Sequence, residues 1–71
     1  MNAMHVIDTT GFELRFDSLF HADRALSFPC DRSGAVDINA LSERVRNNYL
    51  FARALVGREF DAPAVLSQGV H

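Results

Sequence analysis

The sequence has one cysteine, Cys30, and no long apolar run among its 71 residues. A single cysteine excludes a disulfide within the chain and any zinc site built from several cysteines, and it is compatible with a reducing compartment. No apolar stretch is long enough to span a membrane, and the first residues are too polar for a signal peptide. We therefore expect a cytoplasmic protein that does not bind membranes.

Lysine is also missing, since all seven basic residues are arginines, and the net charge is −2. This balance does not favour a nucleic acid or an anionic membrane as partner. The glycines are scattered rather than grouped into a phosphate-binding loop. We expect no cofactor and no nucleic-acid ligand.

What the chain does contain is apolar material: 48 % of its residues are hydrophobic and six are phenylalanine. A chain of this length forms one domain near the lower size limit for independent folding. The high content of hydrophobic residues nevertheless provides enough side chains for a core. We expect a single α+β domain over residues 1–71, with 1–4 and 67–71 disordered.

The longest helical pattern runs from Ile38 to Val56 and is followed by Gly57. Its apolar residues repeat with the 3.6-residue period of an amphipathic helix, which predicts one long helix. Asp37 or Asn39 would cap its start, and Gly57 would take a positive φ after its end. The residues expected to face the core are Ile38, Leu41, Val45, Tyr49, Ala52, Leu55 and Val56.

Two segments before this helix alternate apolar and polar residues, as half-buried strands do. Residues 12–17 form the first, and the second carries Leu26, Phe28 and Cys30. An antiparallel pair with Phe16 opposite Phe28 and Leu14 opposite Cys30 would put the apolar side chains on one face.

The remaining segments are short. His5–Ile7 resembles a strand, and Asp31–Gly34 has the composition of a type I turn. Residues 35–37 would be a third short strand that leads into the helix. Together these segments predict a two- or three-stranded antiparallel sheet followed by one long helix packed across it, with the C-terminal tail returning along the helix.

The span from Phe28 to Gly57, FPCDRSGAVDINALSERVRNNYLFARALVG, resembles short bacterial proteins of unknown function. The similarity covers less than half of the chain and lies in turn and helix residues. It implies no activity and no site residue.

Three residues of the helix, Leu50, Phe51 and Ala54, are apolar but lie outside the core-facing arc. One explanation is that Phe60, Val65 and Leu66 fold back over them. The other is a dimer or partner interface with Arg46, Asn47 and Arg53 at its edge, because apolar residues in a surround that carries arginine are typical of association sites. The two explanations remain open and can both hold if tails exchange between chains.

Other functional classes depend on isolated residues. Cys30 is the one candidate nucleophile, and His21 or Arg32 could activate it; its inward position on a strand favours a structural role. The three histidines do not have the spacing of metal ligands. Arg44, Arg46 and Arg53 could contact a nucleic acid, but they point in different directions around the helix.

The sequence thus predicts a small interaction module, a homodimer without catalytic activity, with Leu50, Phe51, Ala54, Arg46 and Arg53 as its partner-binding residues. No metal site is expected. The alternative is a small enzyme or redox component that uses Cys30, and a third hypothesis is a nucleic-acid-binding regulator.

Overall fold

The computed structural model describes residues 11–67. The strand expected at His5–Ile7 and the disorder expected at 1–4 and 68–71 lie outside these residues. Three strands and two helical segments follow one another: β1 (Phe12–Asp17), β2 (Ala25–Pro29), a 3-10 helix (Ile38–Ala40), α1 (Glu43–Ala54) and β3 (Ala64–Ser67). No helix among residues 11–67 is long and apolar enough to cross a membrane.

The strands form one antiparallel sheet with the order β2-β1-β3, and α1 packs on it. The predicted α+β class, a small antiparallel sheet with one helix, is confirmed. Alternation explains β1: Leu14 and Phe16 are buried, while Arg15 and Asp17 are exposed and form an ion pair at 2.9 Å. The central strand therefore presents one face to the core and one to solvent.

The β1–β2 register differs from the predicted one by two residues. Leu14 pairs with Phe28 rather than Cys30, and Phe16 pairs with Leu26 rather than Phe28. A shift of two residues keeps every side chain on its predicted face, so alternation alone cannot detect it. Pro29 ends β2 at the edge of the sheet, where a strand tolerates a residue without an N–H.

The predicted third strand at residues 35–37 is wrong, because the structure forms its third strand from the tail. Asp31 holds the turn that precedes this segment: its Oδ1 accepts hydrogen bonds from the Ser33 N–H at 2.8 Å and the Ala35 N–H at 2.9 Å. The chain then passes directly into the 3-10 helix. Gly34 is the last residue of the turn and has a φ of +91°, a conformation that glycine adopts easily.

The tail after Pro63 pairs with β1 instead of returning along the helix. Phe12 lies opposite Ser67, and Leu14 lies opposite Val65. Ser67, assigned to the disordered end by the sequence analysis, is therefore the last residue of β3.

The helix is shorter than predicted, at 12 residues, or about 18 Å. Leu41 is extended, with ψ 146°, and separates the 3-10 helix from α1. Ser42 caps α1 because its Oγ accepts a hydrogen bond from the Val45 N–H at 3.3 Å. The expected cap Asp37 instead accepts from the Asn39 N–H, in the 3-10 helix. Gly57 has the predicted positive φ, +89°, but it lies three residues after the last residue of α1 and not directly behind the helix.

The core lies between the sheet and α1. Its buried members are Leu14, Phe16, Phe28, Cys30, Val36, Tyr49 and Ala52. Phe16, Phe28 and Tyr49 contact one another edge to face, with ring centroids 5.2–6.4 Å apart. Of the residues expected to face the core, Val56 is exposed instead, since α1 ends at Ala54 and the chain leaves the helical path.

Candidate interaction surface

The outer face of α1 consists of Leu50, Phe51 and Ala54. Tyr49 and Ala52 are buried against the sheet, and helical spacing places the three outer residues on the opposite side. Leu50 is 45 % exposed and Phe51 54 % exposed, and Ala54 is also exposed. The helix therefore carries apolar surface that the core does not use.

The two arginines expected at the edge of this face lie seven residues apart, on one side of α1. The Arg53 guanidinium stacks over the Tyr49 ring, 5.4 Å from its centroid. Arg46 is half-buried, whereas Arg44 is exposed and lies on the other side of the helix by its spacing. The three arginines do not form one basic patch.

Of the tail residues proposed to cover the outer face, one reaches it. The Phe60 ring contacts the Phe51 ring edge to face, with centroids 6.1 Å apart. Val65 and Leu66 belong to β3 and pair with β1. Coverage by the tail is thus limited to one ring, and more than half of Phe51 stays exposed.

Phe60 also connects the end of α1 with the loop between β1 and β2. It forms backbone bridges with Ser18 and Val56, and its ring packs on Phe16 with centroids 6.5 Å apart. The Leu19 N–H donates to the Glu59 carbonyl at 2.9 Å. The outer face of α1, the 55–60 loop and the β1–β2 loop therefore form one continuous region.

A groove of about 660 Å³ lies in this region, between the β1–β2 loop, α1 and the 55–60 loop. Its apolar part comprises Leu26, Phe51 and Phe60. Its polar residues are Ser18, His21, Asp23, Arg24, Asn48 and Glu59. Phe51 belongs both to the groove and to the outer face, so the two surfaces adjoin.

The β1–β2 loop carries two exposed apolar residues that the sequence analysis did not select. Leu19 is 46 % exposed and Phe20 is 68 % exposed. A signal was present: two large apolar residues follow one another directly after a strand, where a connection is normally polar. Their position beside the groove depends on the pairing of Phe60 with Ser18, which the sequence alone does not indicate.

Cys30 and His21 lie at opposite ends of the β1–β2 hairpin. The Cys30 N–H donates to the Phe12 carbonyl at the open end, and His21 lies in the loop that joins the strands. The Cys30 side chain is fully buried. Burial first, and then the neighbouring carboxylates of Asp31 and Glu13, raise the pKa of its thiol. The site therefore disfavours the reactive thiolate.

Asp31, beside this cysteine, has a lowered pKa. The largest cause is the hydrogen bond from the Ser33 hydroxyl, followed by the bond from the Ala35 N–H. These bonds stabilise the carboxylate and give Asp31 a turn-forming role.

Residues 11–67 contain no group of three or more histidine, cysteine, aspartate or glutamate side chains placed to hold a metal ion. His5 and His71, two of the three histidines weighed as ligands, lie outside these residues.

No protein-family model matches the chain, and no curated protein or solved structure matches it either. We therefore infer function from the geometry of the side chains alone.

Proposed function

We propose that the protein is a small cytoplasmic interaction module without catalytic activity, and that it acts as a homodimer joined through the outer face of α1. The observation that carries this proposal is the exposure of Leu50 and Phe51 on the helix face opposite a complete core. Contiguous apolar surface of this kind is typical of association sites.

A symmetric contact suits this face because each copy would bury the same residues against the other. Covering the remaining exposed part of Leu50 and Phe51 in both copies contributes roughly 4–6 kcal/mol. Association itself costs an estimated ~4–15 kcal/mol. The outer face therefore contributes to a dimer, but a stable dimer needs additional contact surface beside this face.

The edge of the face also supports association. Arg53 is held over Tyr49, so little side-chain entropy is lost when a partner contacts it. Arginine and aromatic residues are enriched in the central parts of protein interfaces.

The Cys30 hypothesis finds no comparable support, because the thiol is buried and its pKa is raised. The nucleic-acid hypothesis lacks a basic patch, since Arg44 lies on the other side of the helix from Arg46 and Arg53.

The test is the molecular mass in solution, measured by light scattering over a wide range of concentration. We expect the wild type to be a dimer and Leu50→Glu to be a folded monomer, since a buried unpaired carboxylate opposes association. Phe51→Glu should act in the same direction. The matched control is Ser27→Glu on the exposed strand β2, which adds the same charge away from the proposed contact.

Circular dichroism establishes that each variant is folded. A wild type that stays monomeric at millimolar concentration overturns the proposal. A dimer that neither Leu50→Glu nor Phe51→Glu weakens also overturns it, because the contact then lies elsewhere.

A further inference from the structure

We infer that Phe20 of each copy inserts into the groove of the other, so that the two grooves of a homodimer are each completed by an aromatic ring from the second chain. This inference rests on the proposed homodimer and names the residue and the groove that would join its two copies. It assigns a role to the most exposed large apolar side chain among residues 11–67.

The loop presents Phe20 on a fixed backbone. The Ser18 Oγ accepts hydrogen bonds from the N–H groups of Phe20 at 3.2 Å and His21 at 3.0 Å. The Ser18 N–H donates to the Arg24 carbonyl at 3.1 Å, which closes the loop at its base. Because the loop backbone is already ordered, little backbone freedom is lost when the ring binds, so Phe20 is suited to act as an anchor.

The groove offers a matching surface. Leu26, Phe51 and Phe60 provide its apolar part, and its volume of about 660 Å³ accommodates a phenyl ring together with part of the neighbouring chain. Ser18 and His21, on either side of Leu19 and Phe20, line the groove, whereas Phe20 does not. The Phe20 ring of one chain therefore lies beside its own groove and is free to enter the groove of a second chain.

The charges around the groove favour a second copy as the occupant. Asp23, Arg24 and Glu59 line it, and the one ion pair within residues 11–67 is Arg15 with Asp17. In the proposed two-fold contact, the Arg24 guanidinium of each chain would lie towards the carboxylates of the other. A rim that carries both signs is thus complementary to itself.

The surface area that a stable dimer must bury also favours insertion of Phe20 into the groove of a second copy. A standard interface buries about 800 Å² on each partner, roughly a sixth of the 5098 Å² surface described here. The outer face of α1 is too small to supply this alone. An aromatic side chain buries roughly 150–250 Å², and Phe20 is 68 % exposed, so the ring and the groove walls add the adjoining surface. Because Phe51 is shared, the two contacts form one interface.

Disulfide trapping tests the proposal. Phe20→Cys and Asn48→Cys are made separately, mixed and oxidised; Asn48 is exposed and lines the groove. We expect a covalent heterodimer on non-reducing electrophoresis. Phe20→Cys mixed with Ser27→Cys is the matched control and should give little product. Wild type should give none, since Cys30 is fully buried.

A second measurement uses the dimer dissociation constant. Phe20→Ala should raise it about tenfold or more, as loss of an interface anchor does, without changing the circular dichroism spectrum. Leu19→Ala, at the neighbouring exposed apolar residue, should change the dissociation constant less, because Leu19 is 46 % exposed and its N–H donates to the Glu59 carbonyl of its own chain.

The outcomes separate this inference from the proposed function. A dimer that Leu50→Glu dissociates, but that shows neither trapping nor weakening by Phe20→Ala, overturns the inference and leaves the homodimer in place. A monomeric wild type overturns both and leaves the groove to a different occupant.

Discussion

Cys30 shows how position sets the chemistry of a single residue. Its side chain has no exposed surface, and it belongs to the core although β2 ends one residue earlier, at Pro29. The alternation of Leu26, Phe28 and Cys30 already indicated this orientation, because side chains two residues apart share a face. Of the two carboxylates that raise its pKa further, Asp31 is the next residue in the chain, whereas Glu13 could not be assigned from the sequence because it approaches only through the strand pairing.

We expect Cys30 to react slowly with a thiol reagent in the folded protein and rapidly in denaturant, because reaction requires opening of the core. Cys30→Ala should cost about 1–2 kcal/mol and Cys30→Val less, since valine fills the space better. The raised pKa means that the folded state retains the proton more firmly than the unfolded state. Its contribution to stability is therefore present below about pH 8.5 and declines as the pH rises further.

The measurements are thiol labelling kinetics and denaturant titrations from pH 7 to 10, with Cys30→Val lacking the alkaline decline. A native thiol that labels as fast as the unfolded one would contradict the buried position.

Phe20 is a second single residue whose proposed role could not be predicted from the sequence. The rule that loops are polar marks it as unusual, but its environment depends on Phe60, forty positions later, pairing with Ser18. Local patterns contain no information on such a contact.

At the scale of elements, the helix boundary separates what periodicity can predict from what it cannot. Ile38 and Leu41 pack against the core as the 3.6-residue pattern requires, so the pattern continues without interruption into α1. A 3-10 turn followed by two extended residues, Leu41 and Ser42, preserves that apolar side. The break is visible in the backbone of these two residues and in the hydrogen bond of the Ser42 side chain.

Ser42→Ala should destabilise the protein by about 1 kcal/mol, as loss of a helix cap does. Asp37→Ala should cost less, because Asp37 caps a 3-10 helix of three residues through a single bond of 3.2 Å to the Asn39 N–H. Urea titrations of both variants, followed by circular dichroism, measure the difference. A larger loss for Asp37→Ala would show that the first turn of the helix starts earlier than Glu43.

At the scale of the whole molecule, the sheet order was not predictable from local patterns. The sequence predicted a third strand at residues 35–37, between the turn at Asp31–Gly34 and the helix. The turn held by Asp31 directs residues 35–37 into the helix instead, and the free edge of β1 is filled by β3. Pro63 is incompatible with a continued helix, but the strand with which the tail pairs is a tertiary property.

The central position of β1 has a kinetic consequence. Its two partners differ greatly in distance along the chain: β2 follows after a short loop, whereas Leu14 meets Val65 about 50 positions later. Closing the longer loop costs roughly 1–2 kcal/mol more in chain entropy. We therefore expect the hairpin to form in the folding transition state and β3 to join afterwards.

The order in which the strands assemble can be measured with two half-buried leucines, Leu26 on β2 and Leu66 on β3. Leu26→Ala and Leu66→Ala should each cost about 1–2 kcal/mol, less than the ~2–5 kcal/mol of a fully buried leucine. Leu26→Ala should mainly slow refolding, whereas Leu66→Ala should mainly accelerate unfolding. Stopped-flow folding kinetics in the Leu50→Glu background, which we expect to be a folded monomer, give both rates. Equal φ-values would show that both strands assemble together. If β3 joins late, substitutions in this strand change the lifetime of the native state rather than the rate at which it forms.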